Sequence, residues 1–284
     1  MPIFDCHSHW ATKEAHIFRT EADLARQVKI WRTEGRYWSE QEMTNHMREN
    51  EARVMLDLAF HKMFSIEKIR ELHDYAFDVA RRNRDVIFGH WLMFDPRRAD
   101  ESLDEFRRAC DADAGYMAFA VSGQGVGVPA SDPKWFPFYE MAIDTGTPVM
   151  IMTGLTGIGQ GTAGGQGIVL DDGHPRHIDI AAARYPELRI LAARPAYPWQ
   201  DEMIAVLLHK ANVSYELHGW GPKHFSDGLK REISTRLQDR VMFGCDFPVL
   251  EYPKVVKDWR SLGYSDEIVE KVLWRNASEY FGAA

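Results

Sequence analysis

Cysteine is scarce in this chain. Three residues among 284, widely spaced, form neither a disulfide framework nor a metal-binding pair of the C-x-x-C kind. No apolar run reaches the roughly 18 residues that a membrane-crossing helix needs, and no basic, apolar leader opens the sequence. Positive charge is not in excess either. Acidic residues number 42 and basic ones 34, a formal net charge of -8, which argues against nucleic-acid binding. The one basic cluster, "RRNR" (81–84), closes a helical stretch, where cations suit the helix dipole. These absences predict a protein of the reducing cytoplasm with a small-molecule substrate and no membrane or nucleic-acid partner. Assembly into a homo-oligomer stays open.

What is present is an ordinary globular composition, 45% hydrophobic and 27% charged, in a chain long enough for one large core. Eight short apolar runs recur: "PIFDC" (2–6), "RVMLDLAF" (53–60), "VIFGHWLMF" (86–94), "YMAFAVS" (116–122), "PVMIMTG" (148–154), "LRILAAR" (188–194), "NVSYELHG" (212–219) and "VMFGCDF" (241–247). Stretches with helical spacing separate them. In 65–83, Ser65 is the expected N-cap, and Ile66, Ile69, Leu72, Ala76 and Val79 share a face.

Strands alternating with helices predict a parallel sheet. Eight units predict a closed α/β (β/α)8 TIM barrel, one domain over 1–284; an open doubly wound sheet is the alternative. A long loop insertion (11–40) follows strand 1, and a second long loop (154–176) follows strand 5. The second loop contains "GQGTAG", a match to G-x-G-x-x-G. It continues as loop where a dinucleotide site would open a helix, so it reads as a lid.

In such barrels the chemistry lies at the C-terminal ends of the strands. His7 and His9, two apart at the end of strand 1, project from one face. Asp246 ends strand 8, the neighbour of strand 1 in a closed cylinder. Two imidazoles and a carboxylate suit Zn, Mn or Fe. Other strand ends offer Met117, Met152, Arg194, Glu216 and His218, while Trp10, Trp91 and Trp220 are candidates for a pocket wall. His90 reads equally as packing or as a substrate contact. Cys6, adjacent to His7, is expected on the opposite face and in the core, as is Cys245. His174 and His177 read as helix-start residues, and His16, His46, His61, His73, His209 and His224 as surface.

Several segments carry a family resemblance: "DCHSH" (5–9), "HPRHID" (174–179), "YPELRILAA" (185–193), "PAYPWQDEMIAVLLHKANV" (195–213), "GWGPKHF" (219–225) and "VMFGCDFP" (241–248). Together they resemble the metal-dependent amidohydrolase family that includes aminocarboxymuconate-semialdehyde decarboxylase and related hydrolases. The resemblance implies that His7 and His9 hold a metal, and that Asp246 both ligates it and acts as a base. It implies hydrolysis or decarboxylation of small, often aromatic, carboxylates.

Against that pattern the chain departs at three positions. Met152 stands where the family has a strand-5 histidine, Arg194 where it has a strand-6 histidine, and Met117 where relatives carry a strand-4 lysine. A thioether is a poor ligand beside imidazole and carboxylate, and a guanidinium has no lone pair to offer. Three readings stay open: a barrel rebuilt by engineering for another chemistry, a natural member that lost its metal, or a divalent metal at reduced occupancy on His7, His9 and Asp246. In the metal-free readings His7 or His9, or Asp246 or Glu216, serves as a base and Arg194 grips a carboxylate, or Arg194 anchors an anion in a non-catalytic binding barrel; Asp246, Arg194 and His218 are the candidate catalytic residues. Trp10, Met117, Met152, Arg194 and Trp220 are the expected substrate contacts.

Overall fold

The computed structural model describes residues 1–58 and 64–283. Its eight parallel strands run in sequence order around one sheet. They are β1 (Ile3–His9), β2 (Ala52–Asp57), β3 (Ile87–Leu92), β4 (Tyr116–Val121), β5 (Val149–Met152), β6 (Ile190–Ala193), β7 (Val213–Glu216) and β8 (Val241–Met242). Backbone hydrogen bonds join β1 to the segment leaving β8: Cys6 N to Phe243 O at 2.9 Å, Asp246 N to His7 O at 2.9 Å and His9 N to Phe247 O at 2.7 Å. They close the cylinder and set Asp246 beside the strand-1 histidines.

Short strands buried on both faces explain the near-continuous apolar runs. Phe4, Met55, Trp91, Ala118, Met150, Leu191 and Met242 fill the barrel interior. The floor is sealed by Phe281 of the last helix, stacked on Phe4 with centroids 5.3 Å apart. A second, outer core lies between strands and helices. Helix Ile66–Arg82 shows how that layer forms: Ser65 caps it by accepting from Lys68 N, and Ile69, Leu72, Ala76 and Val79 are buried along one face.

The insertion after β1 corrects an expectation. It is not all loop, since it carries helix α1 (Glu21–Trp31) and leads into α2 (Glu40–Glu49). Thr20 caps α1 by accepting from Asp23 N. Ser39 and Glu42 form a reciprocal capping box on α2. Both helices bury few residues, so their apolar periodicity is faint.

Histidine placement is also corrected. His73 is fully buried, with Nδ1 2.6 Å from Glu105 Oε1, and His16 is 2% exposed. His46 is half-buried, while His209 and His224 are partly or fully exposed as expected. His61, with residues 59 and 60 of the second apolar run, lies outside the described residues. No helix among the described residues is long and apolar enough to cross a membrane.

Candidate active site

β1 does not run straight to the rim. Its pairing with β2 shifts register between Asp5 and Ser8, an irregularity that re-aims side chains. Before the shift Phe4 faces the barrel interior, and within the shift Cys6 does too. The His7 ring, the next residue in the shift, lies inside as well, with Nδ1 3.3 Å from Met150 Sδ. Strict alternation would have put Cys6 and His7 on opposite faces; the shift overrides it. Asp5 anchors the irregularity from behind. Its buried carboxylate accepts from Cys245 N (2.9 Å), Tyr252 Oη (2.8 Å) and Ser8 Oγ (2.5 Å).

His7, His9 and Asp246 meet at the mouth. The two Nε2 atoms are 3.4 Å apart, and His9 Nε2 lies 3.2 Å from Asp246 Oδ1. Ligand atoms about 2.1 Å from a tetrahedral centre would stand roughly 3.4 Å from one another. The donor set, its spacing and its burial therefore fit a divalent cation with an open position. Among the described residues His9 Nδ1 is buried without a hydrogen-bond partner; Asp57 Oδ2 lies 3.9 Å away. That carboxylate is also 3.6 Å from His7 Nε2, so Asp57, at the end of β2, belongs to the site. The sequence reading missed it, although an acid inside an apolar strand run was a usable signal.

Burial drives the His7 pKa well below its usual value, helped by the neighbouring His218, His9 and Arg194. A neutral imidazole is the form that binds a metal. Burial works against charge on His9 too, but the hydrogen bond to Asp246 and the charges of Asp246 and Asp57 raise its pKa. Asp246 resists the upward push of burial through the same bond and the nearby cations, and its pKa is lowered.

Arg194 and Asp246 both adopt left-handed backbone, with φ of 75° and 67°. Such conformations cost non-glycine residues of order 1–3 kcal/mol and collect at functional sites. Cross-strand bonds hold them: Arg194 N donates to Glu216 O at 3.1 Å, as Asp246 N does to His7 O. Behind Arg194 stand Glu216 and His218. Burial pushes the Glu216 pKa well up and that of His218 well down. His7, Glu216 and His218 form a second group with metal-ligand spacing. Both His218 nitrogens are already engaged, Nδ1 by Glu216 Oε1 at 2.5 Å and Nε2 by Arg194 Nε at 2.9 Å. His218 is fully buried and lines no part of the open cavity. His218 therefore meets Arg194 rather than the cavity.

His9, Arg194 and Asp246 open into a cavity of about 390 Å³, walled by Ile17, Leu155, Ile158, Trp220 and Leu250. A small annex of about 20 Å³ joins it at His9 and Arg194, lined by Asp57, Met93, Ala120 and Met152. Met152 and Trp220 thus stand where the sequence places them. Met117 does not. It packs in the outer core with the helices, while Ala118 and Ala120 of the same strand face inward. Trp10 is also corrected: it is fully buried in the outer core, parallel to the His90 ring at 6.1 Å. His90 accordingly packs and touches no cavity. The glycine-bearing loop after β5 reaches over the mouth, where Trp31 Nε1 of α1 donates to Gln160 Oε1 at 2.7 Å. The rim residues Arg32, Lys223 and Lys254 were not foreseen as site residues; Lys254 opens the helix Tyr252–Arg260, where a lysine reads as an ordinary surface cation.

A model of the family described as Amidohydrolase matches residues 4–283. No curated protein sequence matches the chain. Among solved structures, a TIM-barrel protein from Bordetella bronchiseptica is 17% identical, with 99% of each chain covered and a TM-score of 0.76. A 2,6-dihydroxybenzoate decarboxylase from Rhizobium is 13% identical over 100% of this chain and 99% of its own, with a TM-score of 0.74. A 5-carboxyvanillate decarboxylase from Novosphingobium aromaticivorans, complexed with manganese and 4-hydroxy-3-methoxy-5-nitrobenzoic acid, is 14% identical over 99% and 96%, with a TM-score of 0.72. At these identities the likeness establishes the barrel and its topology.

Proposed function

From the premise that the chain belongs to the amidohydrolase family, we propose that it is a divalent-metal-dependent decarboxylase of a small aromatic acid. The observation that carries this reading is the opening of Arg194, Asp246 and His9 into one apolar-walled cavity. The decarboxylases with the same fold support the choice of reaction.

A cation on His7, His9 and Asp246 would supply Lewis-acid polarisation of a substrate oxygen. The chain's own groups do the rest. Arg194 pairs with an oxygen of the acid, since a guanidinium matches an oxyanion with parallel N–H donors. The departing carboxylate would face the mouth of the annex on the side of Met152, Ala120 and Met93, away from Asp57. A water-poor surface there favours the neutral product, carbon dioxide, over the charged group. As the C–C bond breaks, its electron pair stays on the ring carbon and takes up a proton that Asp246 Oδ2 accepts from water and passes on. That oxygen is free of His9 and lies beside Gly219 of the cavity wall, where an added Cβ would come within 3.3 Å of it. Bulk water restores the proton. Residues 1–284 act as one catalytic domain in this reading, and the unpaired cysteines agree with a reducing, cytoplasmic setting.

The test is carbon dioxide release from 2,6-dihydroxybenzoate and 5-carboxyvanillate by manganese-loaded protein. Release that is lost in Asp246→Asn supports the reading. A loaded protein that binds these acids in Arg194-dependent fashion without turning over any aromatic acid of a wider panel would instead be a ligand-binding barrel.

A further inference from the structure

The cavity is charged unequally along its depth. Its floor holds one lining carboxylate, Asp246, opposite Arg194. Its rim holds Arg32, Lys223 and Lys254, supplied by three separate segments: the C-cap of α1, the turn after β7 and the start of the helix Tyr252–Arg260. None of the three forms an ion pair among the described residues, although most surface cations here do, such as Arg48 with Asp85 and Arg82 with Glu40. No acidic side chain lines the rim among the described residues. This local excess stands on a chain whose net charge is -8. A cleft lined by one sign of charge over apolar walls focuses its field on the opening.

Between floor and rim the wall presents the apolar side chains of Ile17, Leu155, Ile158, Trp220 and Val249, with the polar Thr156 and Gln160 among them. The cavity, at about 390 Å³, falls within the roughly 300–1,000 Å³ of sites for drug-sized ligands. That leaves room beyond a single ring held at Arg194.

We propose that the substrate is an elongated aromatic dianion, with one acid group at Arg194 on the floor and a second, distal carboxylate read by Arg32, Lys223 and Lys254 at the rim. This rests on the reading that the cavity binds an aromatic acid, and it adds the second charge and the length. The apolar wall takes the ring system edge to edge between them. The rim charges also draw the substrate in, so the preference weakens as salt screens them.

The experiment is calorimetric titration of metal-loaded protein with two acids on one skeleton, biphenyl-4-carboxylate and biphenyl-4,4′-dicarboxylate, and with the shorter pair benzoate and terephthalate. The biphenyl dicarboxylate is expected to bind about tenfold tighter than its monoacid at low salt, an advantage that shrinks towards 0.3 M salt, where the screening length falls to roughly 6 Å. In the triple variant Arg32→Ala, Lys223→Ala, Lys254→Ala the ratio of the two affinities falls to about one. A ratio near one in the unmodified protein, or a ratio that survives the triple variant, overturns the rim assignment. In either case the aromatic-acid reading still stands if Arg194→Met abolishes monoacid binding. If neither member of either pair binds the unmodified, metal-loaded protein, the aromatic-acid reading fails, and the rim assignment with it.

Discussion

Arg194 Nε donates to His218 Nε2 across 2.9 Å, and His218 Nδ1 in turn meets Glu216 Oε1 at 2.5 Å. A carboxylate on β7 thus fixes an imidazole, and the imidazole fixes a guanidinium by its inner edge. One outer nitrogen, Nη1, reaches Leu155 O at 3.3 Å, which leaves the rest of the outer edge to the cavity. Arg194 stands where the family resemblance implies a histidine, and the pair behind it holds the guanidinium in that place. His218→Leu removes the inner contact while keeping bulk. The expected result is a KM for the aromatic acid raised about tenfold, near 1.4 kcal/mol of lost positioning, with a smaller change in kcat. Arg194→Lys does not substitute, because an ammonium offers no second edge. Unchanged KM in His218→Leu would show that Arg194 holds its place unaided.

Metal content gives a test that needs no substrate. His7, His9 and Asp246 would supply three vertices, and Met152 borders the same annex as His9 and Asp57. Asp246→Asn and His9→Ala are each expected to lower bound manganese or zinc at least tenfold, the scale on which ligand and near-ligand losses act. Met152→His adds an imidazole where the thioether contributes little, and is expected to tighten binding. Elemental analysis after dialysis reads all three. Equal metal in Asp246→Asn and the unmodified protein would remove Asp246 from the ligand set.

Much of this was legible beforehand, and the misses have physical causes. Strands buried on both faces give apolar runs that stand out, and β1 and β8 had to be neighbours once eight units were counted. That carried His7, His9 and Asp246 to one rim. Met117 failed because a strand's face depends on phase, and one residue of slip reverses it; Ala118 and Ala120 hold the inward positions. Trp10 follows His9 directly and so turns to the helices. The shift between Asp5 and Ser8 is set by a buried carboxylate and its four donors, a tertiary network with no local signature. His73, four positions after Ile69 on the buried face of its helix, was readable as a core residue by spacing alone.

Acid sensitivity follows from His90. Its ring is fully buried, and Nε2 lies 3.1 Å from Ala114 O. Burial lowers its pKa to about 4, with a small opposing effect from that hydrogen bond. The unfolded chain takes up this proton near pH 6.5 and the folded one only near 4, so the unfolded state binds more protons between them. Stability is therefore whole above about pH 6.5 and declines as pH falls towards 4. At pH 5 the loss is about 2 kcal/mol for this group. His90→Leu is expected to flatten the pH dependence of urea unfolding between pH 7 and 5 by about that amount, whatever it does to stability at pH 7. An unaltered slope would exclude His90 as a contributor.

Gly244 decides how closely β8 approaches the Glu216–His218 pair. A Cβ at that position would come to 2.7 Å from His218 Cβ and closer still to Glu216 Oε2. Both neighbours are fully buried and cannot swing away into solvent. Gly244→Ala therefore forces β7 and β8 apart or breaks the hold on Arg194. Overpacking of this kind typically costs about 1–3 kcal/mol, and the upper end is expected because a buried hydrogen-bonded pair is disturbed. Gly127→Ala is the control. Its φ of 70° disfavours a side chain, yet no atom lies within 4 Å of the added carbon, so only the backbone penalty of about 1 kcal/mol applies. Urea unfolding of the two variants separates crowding from backbone strain. Weakened acid binding in Gly244→Ala but not in Gly127→Ala, under conditions where both are folded, is the result expected if the glycine's function is to let the carboxylate–imidazole–guanidinium chain close. Equal destabilisation with equal binding would show that Gly244 serves the barrel alone.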